Sequence, residues 1–297
     1  MSYHLFIAFL APFFSALATY TESNLSTSVL KRQTTMIFYI SLAGVLFLPL
    51  TLFFGRPSLP PLSSLPLYFI IACLDVVYLY PFYTALKVID TSIVSALFSL
   101  GKITVPVFSF IFLGEILNLN QYIGFIVIVM ASVALSVKTG KIPKLNRAFY
   151  YMVLASLITS LRVVLVKYLM NIDDNWVNQV LYPNIISAIL PFTFLLVKKY
   201  RTDIVKNFPP YMEKFKIFVL DNFWCFLGEV CSIYGLAQIS PVVSSAIGGL
   251  APIFLLLLSY MALRLYGLRI KEKIDGRILQ KKIFCFILII LGMILVV

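Results

Sequence analysis

Apolar runs of about twenty residues, each closed by glycine, proline, aspartate or basic side chains, succeed one another along almost the whole chain. A helix that crosses a bilayer needs about 20 mostly apolar residues. Inside hydrocarbon only helices and closed barrels satisfy every backbone N–H and C=O. Segments 3–23, 34–54, 66–86, 91–113, 121–137, 148–170, 176–197, 217–237, 241–263 and 283–297 therefore read as spans, the last one short and drawing on Leu279 to Lys282. Between them stand breakers such as Gly55-Arg56-Pro57, Gly140 to Pro143, Asp173-Asp174-Asn175 and Pro209-Pro210. The expected fold is an all-α integral membrane protein of about ten transmembrane helices. Composition agrees: 61% of the 297 residues are apolar, 12% are charged and the mean hydropathy is +0.98. A soluble domain has roughly a quarter of its residues charged.

The net charge of +12 is set by loops. Loops one, three, five, seven and nine hold 20 of the 24 Lys and Arg residues, and the even loops hold only Arg56. The positive-inside rule puts the odd loops in the cytoplasm and, with ten spans, both termini outside. No basic tail or aromatic-basic motif suits a nucleic acid. Cys73, Cys225, Cys231 and Cys285 all lie in apolar segments without a C-x-x-C pair, and the one histidine is His4. Neither a metal site nor a disulfide framework nor a bound cofactor is expected. The first apolar run lacks a basic leader and carries Glu22, unlike a cleaved signal peptide.

Two segments repeat at an offset of 150 residues: Ser95-Ala96-Leu97 with Leu100-Gly101-Lys102-Ile103, and Ser245-Ala246-Ile247 with Leu250-Ala251-Pro252-Ile253. A very short turn precedes each, at Lys87 to Thr91 and at Gln238 to Pro241. The chain reads as two repeats of five helices, 1–143 and 144–297. Five is odd, so the second enters the membrane inverted, and a central cavity between inverted repeats is a common site for a transported solute.

At these residues the chain resembles the drug/metabolite transporter superfamily, in its ten-helix EamA-type branch. Leu113-Gly114-Glu115 matches the ending of that family's fourth helix, with Lys102 where the family usually has proline. Pro252-Ile253-Phe254 matches in the second half, where Leu265 replaces the acidic ending. Gln121, Gly124 and Ser132 fit the fifth helix; Gln280 and Gly292 fit the tenth in part. Ser160 to Lys167 fits the end of a half's first helix, while the first half has Ser15 to Glu22. The resemblance implies ten helices around a central cavity with alternating access. It also implies cytoplasmic termini, opposite to the orientation that the loop charges give.

Charge at the centre of a spanning helix costs at least about 2.5–3.5 kcal/mol. Glu22, Asp75, Lys102, Arg162, Lys167, Asp221 and Glu229 are therefore expected to face a cavity or a partner. Asp75 and Lys102 flank the turn between the third and fourth spans symmetrically, each about 20 Å from it at 1.5 Å per residue. They are expected to face the cavity and to interact directly or through solute. Glu229 and Arg162 form the matching pair of the second half. Lys167 reaches toward Asp173 and Asp174, and Asp221 near the interface is expected to be solvated. Around the third span, Tyr78 and Tyr83 fall within about 80° of Asp75, whereas Tyr80 falls about 140° away. With Trp224 and Tyr234 on the eighth span, Tyr78 and Tyr83 complete the expected solute-contact set. Ser95, Ala96, Ser99, Ser244, Ser245, Gly248 and Gly249 would let helices approach closely.

A cavity of both signs suits a secondary transporter for a small polar metabolite, amino acid-like, zwitterionic or of mixed charge, with proton or exchange coupling. An S-adenosylmethionine or nucleotide-type exchanger is one alternative and multidrug efflux another. A membrane-embedded enzyme would want His, Asp and Glu clustered at one membrane face, which this sequence does not offer. The expected setting is the bilayer of a cell inner membrane or plasma membrane, as a multi-pass monomer or homodimer.

Overall fold

A computed structural model describes residues 3–88, 94, 97–98, 101–136, 147–266 and 276–296. All regular structure among the described residues is helical. In chain order the helices are α1 (Tyr3–Asn24), α2 (Gln33–Gly44), α3 (Leu65–Val77), α4 (Leu79–Val88), α5 (Val105–Leu113), α6 (Leu119–Ser136), α7 (Arg147–Met170), α8 (Trp176–Ile189), α9 (Lys198–Lys206), α10 (Phe208–Glu213), α11 (Phe215–Gln238), α12 (Pro241–Gly248), α13 (Ala251–Tyr266) and α14 (Gly276–Val296). Six stretches are long and apolar enough to cross a membrane: His4–Asn24, Gln33–Phe53, Leu62–Val88, Arg147–Met170, Trp176–Leu196 and Phe215–Gln238. Shorter apolar helices at Lys102–Leu113, Leu119–Ala131 and Pro241–Leu255 fall on further expected runs. The last expected run is the 21-residue α14, which begins at Gly276 rather than at residue 283. The chain is a multi-pass helical membrane protein. Its boundary between halves at 143 and 144, and Ser95, Ala96, Ser99 and Leu100 of the repeat, lie outside the described residues.

Proline decides where these helices break. A proline has no N–H to give the carbonyl four residues earlier and crowds that turn. Pro49, Pro81, Pro106, Pro191 and Pro252 each stand four residues after Val45, Val77, Lys102, Ser187 and Gly248. At or close to these positions α2 gives way to a tighter 3-10 stretch, α3 to α4, the 3-10 turn Gly101–Thr104 to α5, α8 to another 3-10 stretch, and α12 to α13. Gly114 ends α5 with φ of 68°, its N–H bonded to Phe110 O at 3.1 Å and the next N–H to Ser109 O at 3.3 Å. That left-handed cap is the physical reason for glycine in Leu113-Gly114-Glu115.

The most extensive packing joins α1 to α11 and α6 to α14. Along α1 and α11, Ala8 meets Gly235, Phe14 meets Gly228 and Thr21 meets Asp221, so the two run antiparallel. Contacts recur when the chain is shifted by five spans. The first span packs on the eighth as the sixth packs on the third, and the second on the eighth as the seventh on the third.

The loops hold polar ties. Asp173 Oδ2 accepts from Tyr68 and from Asn178, both at 2.8 Å, while Ser58 is bonded to Asn178 and Asn175, which closes the 55–58 loop on the start of α8. Lys167 does not extend to Asp173: its Nζ donates to Leu236 O at 2.8 Å, where the freed carbonyls of the α11 C-terminus attract a cation. At the opposite end Arg32 pairs with Asp203 on α9. The seventh loop is folded into α9 and α10.

A Cβ at Gly124 would lie 2.5 Å from Gly292 O, and one at Gly292 would lie 2.8 Å from Gly124 O. Backbone cannot yield as a side chain can. Gly124→Val is expected to destabilise the protein by about 1–3 kcal/mol or more, the scale of overpacking. A thermal melt in detergent reads this, and an unchanged midpoint would contradict the close crossing.

Candidate functional site

A cavity of about 430 Å³ lies among the broken helices. Its wall draws on the first four spans and on the sixth to the ninth, with none of the described side chains of α6 or α14. The proline breaks bring Gly44, Tyr78, Lys102, Ser187 and Gly248 to that wall. Nothing of the α6 and α14 glycine crossing enters it, so that pair is scaffold at the edge.

Three charges meet on the wall. Arg162 of α7 forms ion pairs with Asp75 of α3, through Nε, and with Glu229 of α11, its Nη2 at 2.6 Å from Oε1. Asn184 of α8 donates to the other Glu229 oxygen at 2.7 Å. The three charged side chains are between 16% and 20% exposed, which means open to the cavity and shielded elsewhere. One guanidinium thus holds two carboxylates from different helices, the forked geometry for which arginine is suited. Arg162 and Glu229 meet as expected. Asp75 was expected to approach Lys102; its ionic partner is Arg162 instead.

Lys102 also lines the cavity, without an ion-pair partner among the described residues. Its Nζ lies 2.8 Å from where a Cβ on Gly248 would stand, so the ammonium is tucked against the bare backbone at the end of α12. Glu22 lines the cavity near the other end of α1 and accepts a hydrogen bond from Tyr83 at 2.8 Å.

The aromatic set divides. Tyr78 is on the cavity wall, beside Phe82 and Phe98. Tyr83 is fully buried and meets the cavity wall through its hydrogen bond to Glu22. Trp224 stacks on Phe14 with ring centres 6.0 Å apart, and Tyr234 is bonded to His4 at 3.0 Å and packs on Trp176. Neither is in the cavity wall, so both serve helix packing here. Tyr80 is 48% exposed and points away, in line with its place on the helix. Asp221 was read as solvated, yet it is completely buried and bonded to Thr21. Its position six residues into α11 looked interfacial by counting; the long contact with α1 is what covers it. Asn184 was missed because an amide in a spanning helix carries no charge to signal it.

Residues 2–137 match the model of the EamA-like transporter family. The matched segment is a little under half of the chain, and the family that it resembles is one of membrane transporters. No curated protein matches the chain. Among solved structures, a crystal structure of a protein aligns with 98% of this chain and 93% of its own, at a TM-score of 0.62 and 14% identity, which shows a shared fold.

Removing one partner of a buried charge network strands the others, at a cost of about 3–5 kcal/mol. Arg162→Met is expected to destabilise the protein by that order. The triple change Arg162→Met, Asp75→Asn, Glu229→Gln is expected to recover most of the loss. Melting the variants side by side in detergent decides it: a single variant as stable as the parent would show that the triad does not hold α3, α7 and α11 together.

Proposed function

We propose that the protein is a secondary transporter that moves a small zwitterionic or mixed-charge metabolite, amino acid-like in its charges, across the membrane by alternating access. The observation that carries the proposal is the state of the cavity charges. Arg162, Asp75 and Glu229 satisfy one another, whereas Lys102 and Glu22, on the same wall, have no ion partner among the described residues. Unpaired charges in a site of low dielectric are costly until a ligand completes them. A solute with a carboxylate for Lys102 and an ammonium for Glu22 completes both. The outer face of the triad supplies further polar contacts.

The recurrence of helix contacts on a shift of five spans supports two inverted repeats as the frame for this motion, divided near 143. Inverted repeats let one half rock against the other around a fixed site. The loop charges support placement in a cell inner membrane or plasma membrane with the termini outside.

S-adenosylmethionine is a second candidate solute. Tyr78, Phe82 and Phe98 give one wall an aromatic surface suited to a nucleobase beside the amino-acid charges.

A ligand that binds only the folded state raises stability by mass action. Purified protein screened by thermal shift against amino acids, nucleosides and S-adenosylmethionine is expected to respond to a solute bearing both charges, and Lys102→Met is expected to weaken that response about tenfold or more in concentration. A protein that responds only to singly charged or neutral compounds would overturn the assignment. Uptake of the responding solute into proteoliposomes then tests transport itself.

A further inference from the structure

We propose that Glu22 of α1 and Asp221 of α11 hold one proton between them, and that this proton is the ion to which transport is coupled. The two carboxyls and the Cys225 thiol bring their reactive atoms within 4.8 Å of one another. Glu22 is 7% exposed and Asp221 0%. Among the described residues no Lys, Arg or His pairs with either, in contrast to the triad served by Arg162. Two carboxylates at this distance in hydrocarbon cannot both stay ionised without a positive charge.

Two details of the hydrogen bonding point to a missing hydrogen. Asp221 Oδ2 is buried and has no hydrogen-bond partner among the described residues. The Thr21 hydroxyl faces three acceptors, Leu17 O at 3.3 Å, Ala18 O at 2.8 Å and Asp221 Oδ1, with a single hydrogen to give. One hydrogen cannot serve all three acceptors, and a proton on Asp221 supplies the hydrogen that this cluster lacks.

The groups around the pair are Tyr83 and Tyr78 from α4 and Cys225 from α11 itself; Tyr78 also feels Asp75 and Arg162, which links the pair to the triad. Glu22 and Cys225 are on the cavity wall, while Asp221 is behind it. A solute ammonium arriving beside Glu22 can replace the proton, which leaves to water, so the pair keeps one positive charge in either state. This coupling rests on the transporter assignment; the proton site does not.

Dicyclohexylcarbodiimide is an apolar reagent that adds to protonated carboxyls, and it needs no substrate. Purified protein treated from mildly acidic to alkaline pH, with peptide mass spectrometry, is expected to carry the label at Glu22 or Asp221. At alkaline pH, Glu22→Gln and Asp221→Asn are each expected to cut the label on the remaining carboxyl about tenfold or more, because the like charge that favours protonation is gone. Label on Asp75 or Glu229 instead, or on no carboxyl, overturns the proton site. Protection by sodium chloride but not choline chloride assigns the site to an alkali cation and also overturns it. Should both variants fail to fold, the position and pH dependence of the label on the unaltered protein still decide. In proteoliposomes, transport indifferent to an imposed pH gradient, with the label present, overturns the coupling alone. Label present in a protein that transports none of the screened solutes instead removes the transporter assignment and leaves the proton site standing.

Discussion

Hydrocarbon offers no hydrogen bonds, so every polar group in the spans must find its partner within the protein. That constraint organises the molecule more than any single contact. It forces the chain into helices and gives proline its weight, although α1 and α8 run through Pro12 and Pro183 unbroken. At Pro49, Pro81, Pro106, Pro191 and Pro252 a carbonyl loses the N–H that would have bonded it, and at or beside these positions the helix tightens, bends or restarts. All five breaks border the cavity, where water can serve the freed groups. The same residues that weaken the helices therefore shape the site.

Charge obeys the same rule at higher stakes. Arg162 is shared by two acids from two other helices, and Lys167 is spent on the carbonyl end of α11. Once these are satisfied, Lys102, Glu22 and the hidden Asp221 stand apart as groups whose complement is not a basic or acidic side chain among the described residues. The division between charges that pair across helices and charges that do not is thus drawn by geometry, around one cavity.

Much of this was legible in the sequence. The spans follow from apolar length, and the seven costly charges stand out because the spans hold so few others. The 150-residue echo at Ser245-Ala246-Ile247 pointed to a doubled architecture, but most of its first copy lies outside the described residues. Pairings were harder. Asp75 and Lys102 share a depth on neighbouring spans, but depth says nothing of rotation, and Arg162 on a third helix reaches Asp75 first. Asp221 looked interfacial because counting from a helix end cannot see α1 lying over it. Trp224 and Tyr234 face other aromatics, a preference that residue type alone does not reveal. The helices α9 and α10 escaped notice because their basic, proline-bearing stretch resembles an ordinary loop.

The closeness of Lys102 to Gly248 carries one more consequence. With the ammonium 2.8 Å from the space a methyl group would occupy, any side chain at position 248 meets the free end of Lys102, which can swing aside as backbone cannot. A descendant of this sequence that filled position 248 could keep its lysine but would have to turn it elsewhere in the chamber, and the positive charge would move with it. Glycine at 248 thus sets where that charge stands rather than whether it is present.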